Sequence, residues 1–289
     1  MDNLIKLLDE DTINSYTSMA DERDTYLQKL GEFLTPETLN DYIQRYEAND
    51  TEDTAWMTKP VDLLIAGKQL SQISETQNEQ VISQIKKKCK GLDGPCTRLS
   101  DVLAELGVAT CTGFYYDVEL DKKTGVGKKD ADVYVPKTDV YLEVKNYVIG
   151  RSKFEKLVAK DIKKLEADGQ KGSYRTGDFE LIKQSSSDNF LAVDMSDYDS
   201  SSQVVGMLQD AHSKFSENQT AIVFIMGLPL TKTSIHAIDA WKCDNPHTAI
   251  KGVFILNGRN SVTNVRSTYW HELTLDKVVA DFLKTIELV

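Results

Sequence analysis

Cysteine, histidine and long apolar runs are all scarce in this chain, and each shortage excludes a class of protein. The four cysteines among 289 residues form no Cys-x-x-Cys pair. A disulfide scaffold is excluded and a zinc ribbon disfavoured. The four histidines, His212, His236, His247 and His271, show no His-Glu-x-x-His spacing, so zincin chemistry is set aside. The best apolar run, 221–230, is too short to span a bilayer. No Gly-x-x-x-x-Gly-Lys-Ser/Thr loop and no Gly-x-Ser-x-Gly elbow occurs, which argues against a nucleotide cofactor and against serine-hydrolase chemistry. Gly125-Val126-Gly127 reads as a turn between strands, not as a dinucleotide fingerprint. The chain begins Met1-Asp2-Asn3 without a basic-then-apolar leader. The expectation is a soluble protein of a reducing, cytoplasmic compartment, with no membrane partner.

What is present is globular. Hydrophobic residues make up 40 % and charged residues 27 %, so wholesale disorder and collagen-like repeats are excluded. The charge is unevenly spread. Residues 1–75 carry 16 acids against 6 bases, which is −10 of the net −11. The remainder is nearly balanced, so an acidic chain does not exclude a polyanionic partner for its later part.

Residues 1–48 read as helices: Tyr26, Leu27, Leu30 and Phe33 follow helical spacing, and Thr35-Pro36-Glu37 is a helix start with Thr35 as cap. A further helix is expected over 61–90, ending in the basic run Lys86-Lys87-Lys88-Cys89-Lys90. The expected division is an acidic helical region, 1–90, followed by an α/β domain, 91–289. In the latter, Leu99, Val102, Leu103 and Leu106 mark a helix stopping at Gly107. Three strands are expected at 109–120, 131–135 and 139–148, and their short connections give an antiparallel meander. A helix follows at 152–168, an irregular stretch at 169–187, a short buried strand at 190–193 and a helix at 202–215. Buried strands are expected at 220–227 and 250–256, and a helix at 275–286. This order predicts a mixed central sheet flanked by helices, with an N-terminal helical region.

The chemically informative stretch runs from Asp130 to Lys145. Side chains alternate along a strand, so Val140, Leu142 and Val144 share one face and Asp139, Tyr141, Glu143 and Lys145 the other. Asp132 opens the preceding strand, and a tight connection brings it beside Glu143. Two converging carboxylates repel unless a cation lies between them, and hard oxygen ligands suit Mg²⁺ or Mn²⁺. A neighbouring lysine, Lys145, can orient or deprotonate an attacking water whose pKa the metal lowers. The triplet Asp/Glu-x-Lys is common by itself and occurs three times here, at 121–123, 143–145 and 161–163. Only 143–145 lies in an apolar strand with an aspartate opening the strand before it. Asp130 is a rival for the Asp132 role, being two residues earlier on the same face. The bland alternative is a solvated strand face carrying a cross-strand ion pair worth roughly 0.2–1 kcal/mol.

In these residues the chain resembles the PD-(D/E)XK, or restriction-endonuclease-like, nucleases. Asp132 stands for the motif's aspartate and Glu143-Val144-Lys145 for its Glu-x-Lys. Ala131 stands where many members have proline. The resemblance covers about 95–230 and implies a restriction-endonuclease-like core performing Mg²⁺- or Mn²⁺-dependent phosphodiester hydrolysis, with DNA as the expected substrate. It implies that Asp132, Glu143 and the Val144 carbonyl hold the metal, that Lys145 acts on the water, and that Glu105 is the extra acidic residue seen in many members. Many members cut both strands as dimers, so it also admits a homodimer.

The helix after the motif carries Lys153, Lys156, Lys160, Lys163 and Lys164, mostly on one side. It reads either as a phosphate-tracking face or as an ordinary solvated surface. Trp241 and Trp270 are expected to pack at a core edge rather than to stack bases. The alternative to an enzyme is a catalytically inactive nuclease-like module that binds nucleic acid or protein, with the acidic N-terminal region shielding the basic helix.

Overall fold

The computed structural model describes residues 23–48, 99–113, 115–147, 199–227, 231–256 and 268–272, short strands between 171 and 191, and isolated positions between 63 and 87, between 156 and 167, and at 281. No helix among them is long and apolar enough to cross a membrane. Helix α1 (Arg23–Phe33) buries Tyr26, Leu27, Leu30 and Phe33, the three-and-four spacing of a single apolar stripe. Helix α2 (Pro36–Ala48) starts where its cap requires, with Thr35 Oγ1 accepting from the Thr38 N–H at 3.2 Å. The described positions between 63 and 87 are helical.

Helix α3 (Leu99–Gly113) continues through Gly107, so the expected stop there and the expected strand over 109–120 are both corrected. A mid-helix glycine costs about 1 kcal/mol relative to alanine. Burial of Val108 and Ala109 outweighs that cost, and Thr110 Oγ1 donates to the Leu106 carbonyl at 2.7 Å.

Strands β1 (Glu119–Lys123), β2 (Asp130–Val135) and β3 (Val140–Asn146) form the expected antiparallel meander. β3 then pairs in parallel with β7 (Thr220–Met226), β7 in parallel with β8 (Ile250–Leu256), and β8 antiparallel with β9 (Thr268–Glu272). The result is a six-stranded mixed sheet in the order β1-β2-β3-β7-β8-β9. Between β3 and β7 lie helix α4 (Ser201–His212) and a separate three-stranded sheet of β4 (Lys171–Tyr174), β5 (Leu181–Gln184) and β6 (Phe190–Leu191). The stretch expected to be irregular at 169–187 thus holds two strands, and the strand at 190 pairs with them instead of joining the main sheet. Helix α5 (Lys232–Asp244), which the sequence reading did not anticipate, opens with a reciprocal cap between Thr231 and Ser234. The expected segments at 1–22 and 275–286, apart from 281, lie outside the described residues, as does most of 152–168.

The two faces of the sheet are buried against different helices. One face presents Val133, Val135, Val140, Leu142, Val144, Ile222 and Phe224 to α3, and the same buried cluster continues into α1, α2 and Leu63, Leu64 and Leu70. The acidic N-terminal helices therefore share the core of the sheet. The other face presents Tyr141, Val223, Ile225 and Val253 to α4 and α5. Trp241 is buried in that second cluster, its Nε1–H donating to Gln209 Oε1 at 3.3 Å, which fits a core role and removes it from base stacking.

Gly67 fixes the approach of the N-terminal helices. A Cβ placed there would lie 2.3 Å from the Tyr26 carbonyl oxygen, a backbone atom that cannot step aside. Gly→Ala inside a helix ordinarily stabilises by about 1 kcal/mol. Here the sign reverses: Gly67→Ala is expected to destabilise by about 1–3 kcal/mol, measured as a lower urea midpoint.

Candidate active site

The site begins with a buried carboxylate in a central strand. Glu143 is the fourth residue of β3, its neighbours Leu142 and Val144 are buried, and its own side chain is 0 % exposed. An ionised carboxylate taken from water without compensation costs several kcal/mol. The compensation comes from two ammoniums on one oxygen: Lys145 Nζ at 2.8 Å and Lys214 Nζ at 2.5 Å from Glu143 Oε1. Glu143 Oε2 is buried with no hydrogen-bond partner among the described residues.

Asp132 arrives from β2. The β2–β3 register runs from Val135↔Val140 to Val133↔Leu142 and stops there. One step on, Asp132 falls opposite Glu143. Its Oδ2 accepts the Val144 N–H at 2.7 Å, a charge-assisted bond that ties the side chain to the β3 backbone. Like charges directly opposite on neighbouring strands are destabilising. The electrostatics carry that signature: burial pushes the Glu143 carboxyl above its ordinary range, Asp132 pushes it further, and the two lysines only partly oppose this.

Lys145 sits between two acids. It contacts Glu143 on one side and donates to Asp210 Oδ2 of α4 on the other. Burial alone would lower the Lys145 ammonium, but Glu143 and Asp210 outweigh it and hold it above the ordinary lysine value. It is therefore a charged donor, not a neutral base. The Lys145 hydrogen bond in turn draws Asp210 below its ordinary value.

The second ammonium comes from the end of α4. The Lys214 N–H donates to the Ala211 carbonyl at 3.0 Å, which places its cation at the negative pole of the helix. The β1–β2 connection clamps this end: Lys129 Nζ donates to Ser213 O and Oγ at 2.9 and 2.8 Å, and Gln219 Nε2 to the Thr124 carbonyl at 3.0 Å.

The structure thus brings together Asp132, Glu143 and Lys145, as the alternation and the tight turn lead one to expect. It does not bring in Asp130, which pairs with Lys123 of β1 at 2.5 Å, or Asp139, which accepts from the Tyr134 hydroxyl in the turn. Glu105 rides on α3, which packs against Leu142 and Val144, while Glu143 points to the α4 side of β3. Its helix covers the sheet face opposite the Glu143–Lys145 cluster. Lys156, Lys160 and Lys163 are helical and exposed; Lys153 and Lys164 lie outside the described residues. Asp210 and Lys214 escaped the sequence reading. Their four-residue spacing at a helix end is that of an ordinary helix pair, and they lie more than 60 positions beyond the motif they serve.

No group of three or more His, Cys, Asp or Glu side chains converges among the described residues. The donors at hand are the carboxylates of Asp132 and Glu143. This set fits Mg²⁺, which keeps several waters and takes one or two carboxylates plus substrate phosphate; the unpartnered Glu143 Oε2 is the atom it would satisfy. Comparison with family models, curated proteins and solved structures returned no match for the chain.

The repulsion is measurable. Because the folded state holds the Glu143 proton above its unfolded value, this group favours folding most below the unfolded pKa, and that contribution is lost as pH rises through the folded pKa. Asp132→Asn keeps an oxygen to accept from Val144 and removes one cause of the shift. It is expected to stabilise the metal-free protein by about 0.5–1 kcal/mol at neutral pH, roughly 1–3 °C in Tm, with the gain shrinking as pH falls through the raised Glu143 pKa and the carboxyl takes up its proton. Thermal unfolding across that range tests it; a loss of stability at neutral pH would show that the hydrogen bond to Val144 outweighs the repulsion.

Proposed function

We propose that the chain is a divalent-metal-dependent nuclease of restriction-endonuclease-like architecture that hydrolyses phosphodiester bonds, with DNA as substrate, in the cytoplasm. The observation that carries this is the juxtaposition of Asp132 with a fully buried Glu143 that has one oxygen unpartnered, next to the Lys145 ammonium. The sheet order, with an antiparallel meander joined in parallel to β7, supports it as an architecture.

Asp132, Glu143 and the Val144 carbonyl would hold Mg²⁺ or Mn²⁺. The ion would supply Lewis-acid polarisation of the phosphoryl oxygen and a lowered pKa for bound water. The chain's own part follows from its charges. Lys145, fixed between Glu143 and Asp210, presents N–H donors that orient a water for in-line attack and offset the charge developing on phosphorus. The water oxygen bonds to phosphorus and gives up a proton to solvent, the P–O bond to the leaving sugar oxygen breaks, and that oxygen takes a proton from solvent to leave as a hydroxyl. The exposed lysines at 156, 160 and 163 would contact flanking phosphates. A homodimer would allow both strands of a duplex to be cut.

One observation favours the alternative of an inactive module that binds nucleic acid or protein: Glu143 already has two ammonium partners, and Lys145 is also engaged by Asp210. Activity separates the two readings. Purified protein incubated with DNA is expected to cleave in Mg²⁺ or Mn²⁺ and not in chelator. Asp132→Ala and Lys145→Ala should each lower the rate by roughly a hundredfold or more, with circular dichroism reporting a folded chain. Cleavage that persists in both variants would remove the proposal; no cleavage by the wild type under any divalent ion would favour the binding module.

A further inference from the structure

We propose that Lys214 is a catalytic residue of this site: its ammonium neutralises Glu143 while the protein is metal-free and turns to a non-bridging oxygen of the substrate phosphodiester when a divalent ion takes the carboxylate. This rests on the nuclease reading above and extends it to a residue outside the Asp132, Glu143 and Lys145 set.

The two ammoniums on Glu143 Oε1 are not equivalent. Lys145 is held between two acids, Glu143 and Asp210, whereas among the described residues the ion pair of Lys214 is with Glu143. When a divalent cation competes for Glu143, Lys145 keeps its hydrogen bond to Asp210, while Lys214 loses its ion pair and keeps only the longer-range attraction of Asp210. Lys214 is thus the group free to move. Its side chain is 21 % exposed, so it borders solvent, and its four-carbon stem lets the ammonium travel without the backbone. The backbone stays in place: the Lys214 N–H is bonded to Ala211 and the adjacent Ser213 is clamped by Lys129.

Charge balance points the same way. The five side chains at Glu143, namely Asp132, Glu143 and Asp210 against Lys145 and Lys214, sum to −1, with Lys129 held on Ser213 and acting on Asp210 from the outer end of α4. A divalent ion makes that sum +1, the complement of one phosphodiester anion. Without Lys214 the same loaded site would be neutral and would lack the cation that a phosphate, and the added charge of its transition state, calls for. A purely structural lysine would be expected to bury its charge against Glu143 permanently and would leave Glu143 unavailable to any ion.

The test uses the full chain and Lys214→Gln, which keeps an N–H donor for Glu143 and removes only the charge, with Lys214→Arg as the conservative variant. Calorimetric titration with Mn²⁺ alone is expected to show tighter binding by Lys214→Gln than by wild type, by roughly tenfold, because a competing cation has gone. In Mg²⁺ the same variant is expected to cleave DNA roughly a hundredfold more slowly, and Lys214→Arg to recover most of that loss. Thermal unfolding of each variant reports folding separately. Unchanged or weaker Mn²⁺ binding by Lys214→Gln, or cleavage at the wild-type rate, would overturn the role of Lys214 and leave the nuclease reading standing. A wild-type chain that neither binds Mn²⁺ nor cleaves would instead overturn that reading, and this proposal with it.

Discussion

A carboxylate with no exposure to water, in the middle of a central β-strand, is the constraint to which the rest of the site answers. Glu143 sits where the strand is buried on both faces, a position that apolar side chains ordinarily fill. Exchanging a buried ion pair for apolar residues of similar volume is often neutral or stabilising by about 1–4 kcal/mol. The arrangement is not the one stability alone would choose. The opposing Asp132 makes it less so, since it adds repulsion to desolvation. Costs of this kind cluster where a group is held for chemistry.

The fold supplies the means of holding it. β3 is locked on one side by the meander and on the other by its parallel pairing with β7 over seven residue pairs, Val140↔Thr220 to Asn146↔Met226, so the alternation that aims Glu143 and Lys145 at one face cannot slip. Asp132 is tied to the β3 backbone through Val144 rather than left to swing. Helix α4 delivers Asp210 and Lys214 to the same face from a distant part of the chain, and the β1–β2 connection grips the end of that helix. The apolar cluster shared by α1, α2 and α3 covers the opposite face. One face of the sheet thus carries the polar site and the other much of the packing.

Much of this was legible in the sequence because it depends on short range. The meander follows from short connections between apolar runs, and the convergence of Asp132 with Glu143 follows from period-two alternation across a tight turn. The start of α2 could be read from Thr35 and Pro36. Errors arose where tertiary contact overrides local preference. Gly107 looks like a helix end, yet the buried residues after it carry α3 to Gly113. Which face of the sheet α3 covers is likewise not encoded in the spacing of its own residues. Asp210 and Lys214 were invisible for a related reason: nothing in a helix-end acid–base pair says that it will meet a strand some seventy residues earlier.

The account stands on a cation shared by the carboxylates of Asp132 and Glu143. Crystals of the full chain soaked in Mn²⁺ and measured at a wavelength where manganese scatters anomalously test this most directly. The account predicts one anomalous peak between Asp132 and Glu143 Oε2, with the Lys214 ammonium displaced from Glu143. A soaked crystal with no peak there, and with both ammoniums still seated on Glu143 Oε1, would contradict it.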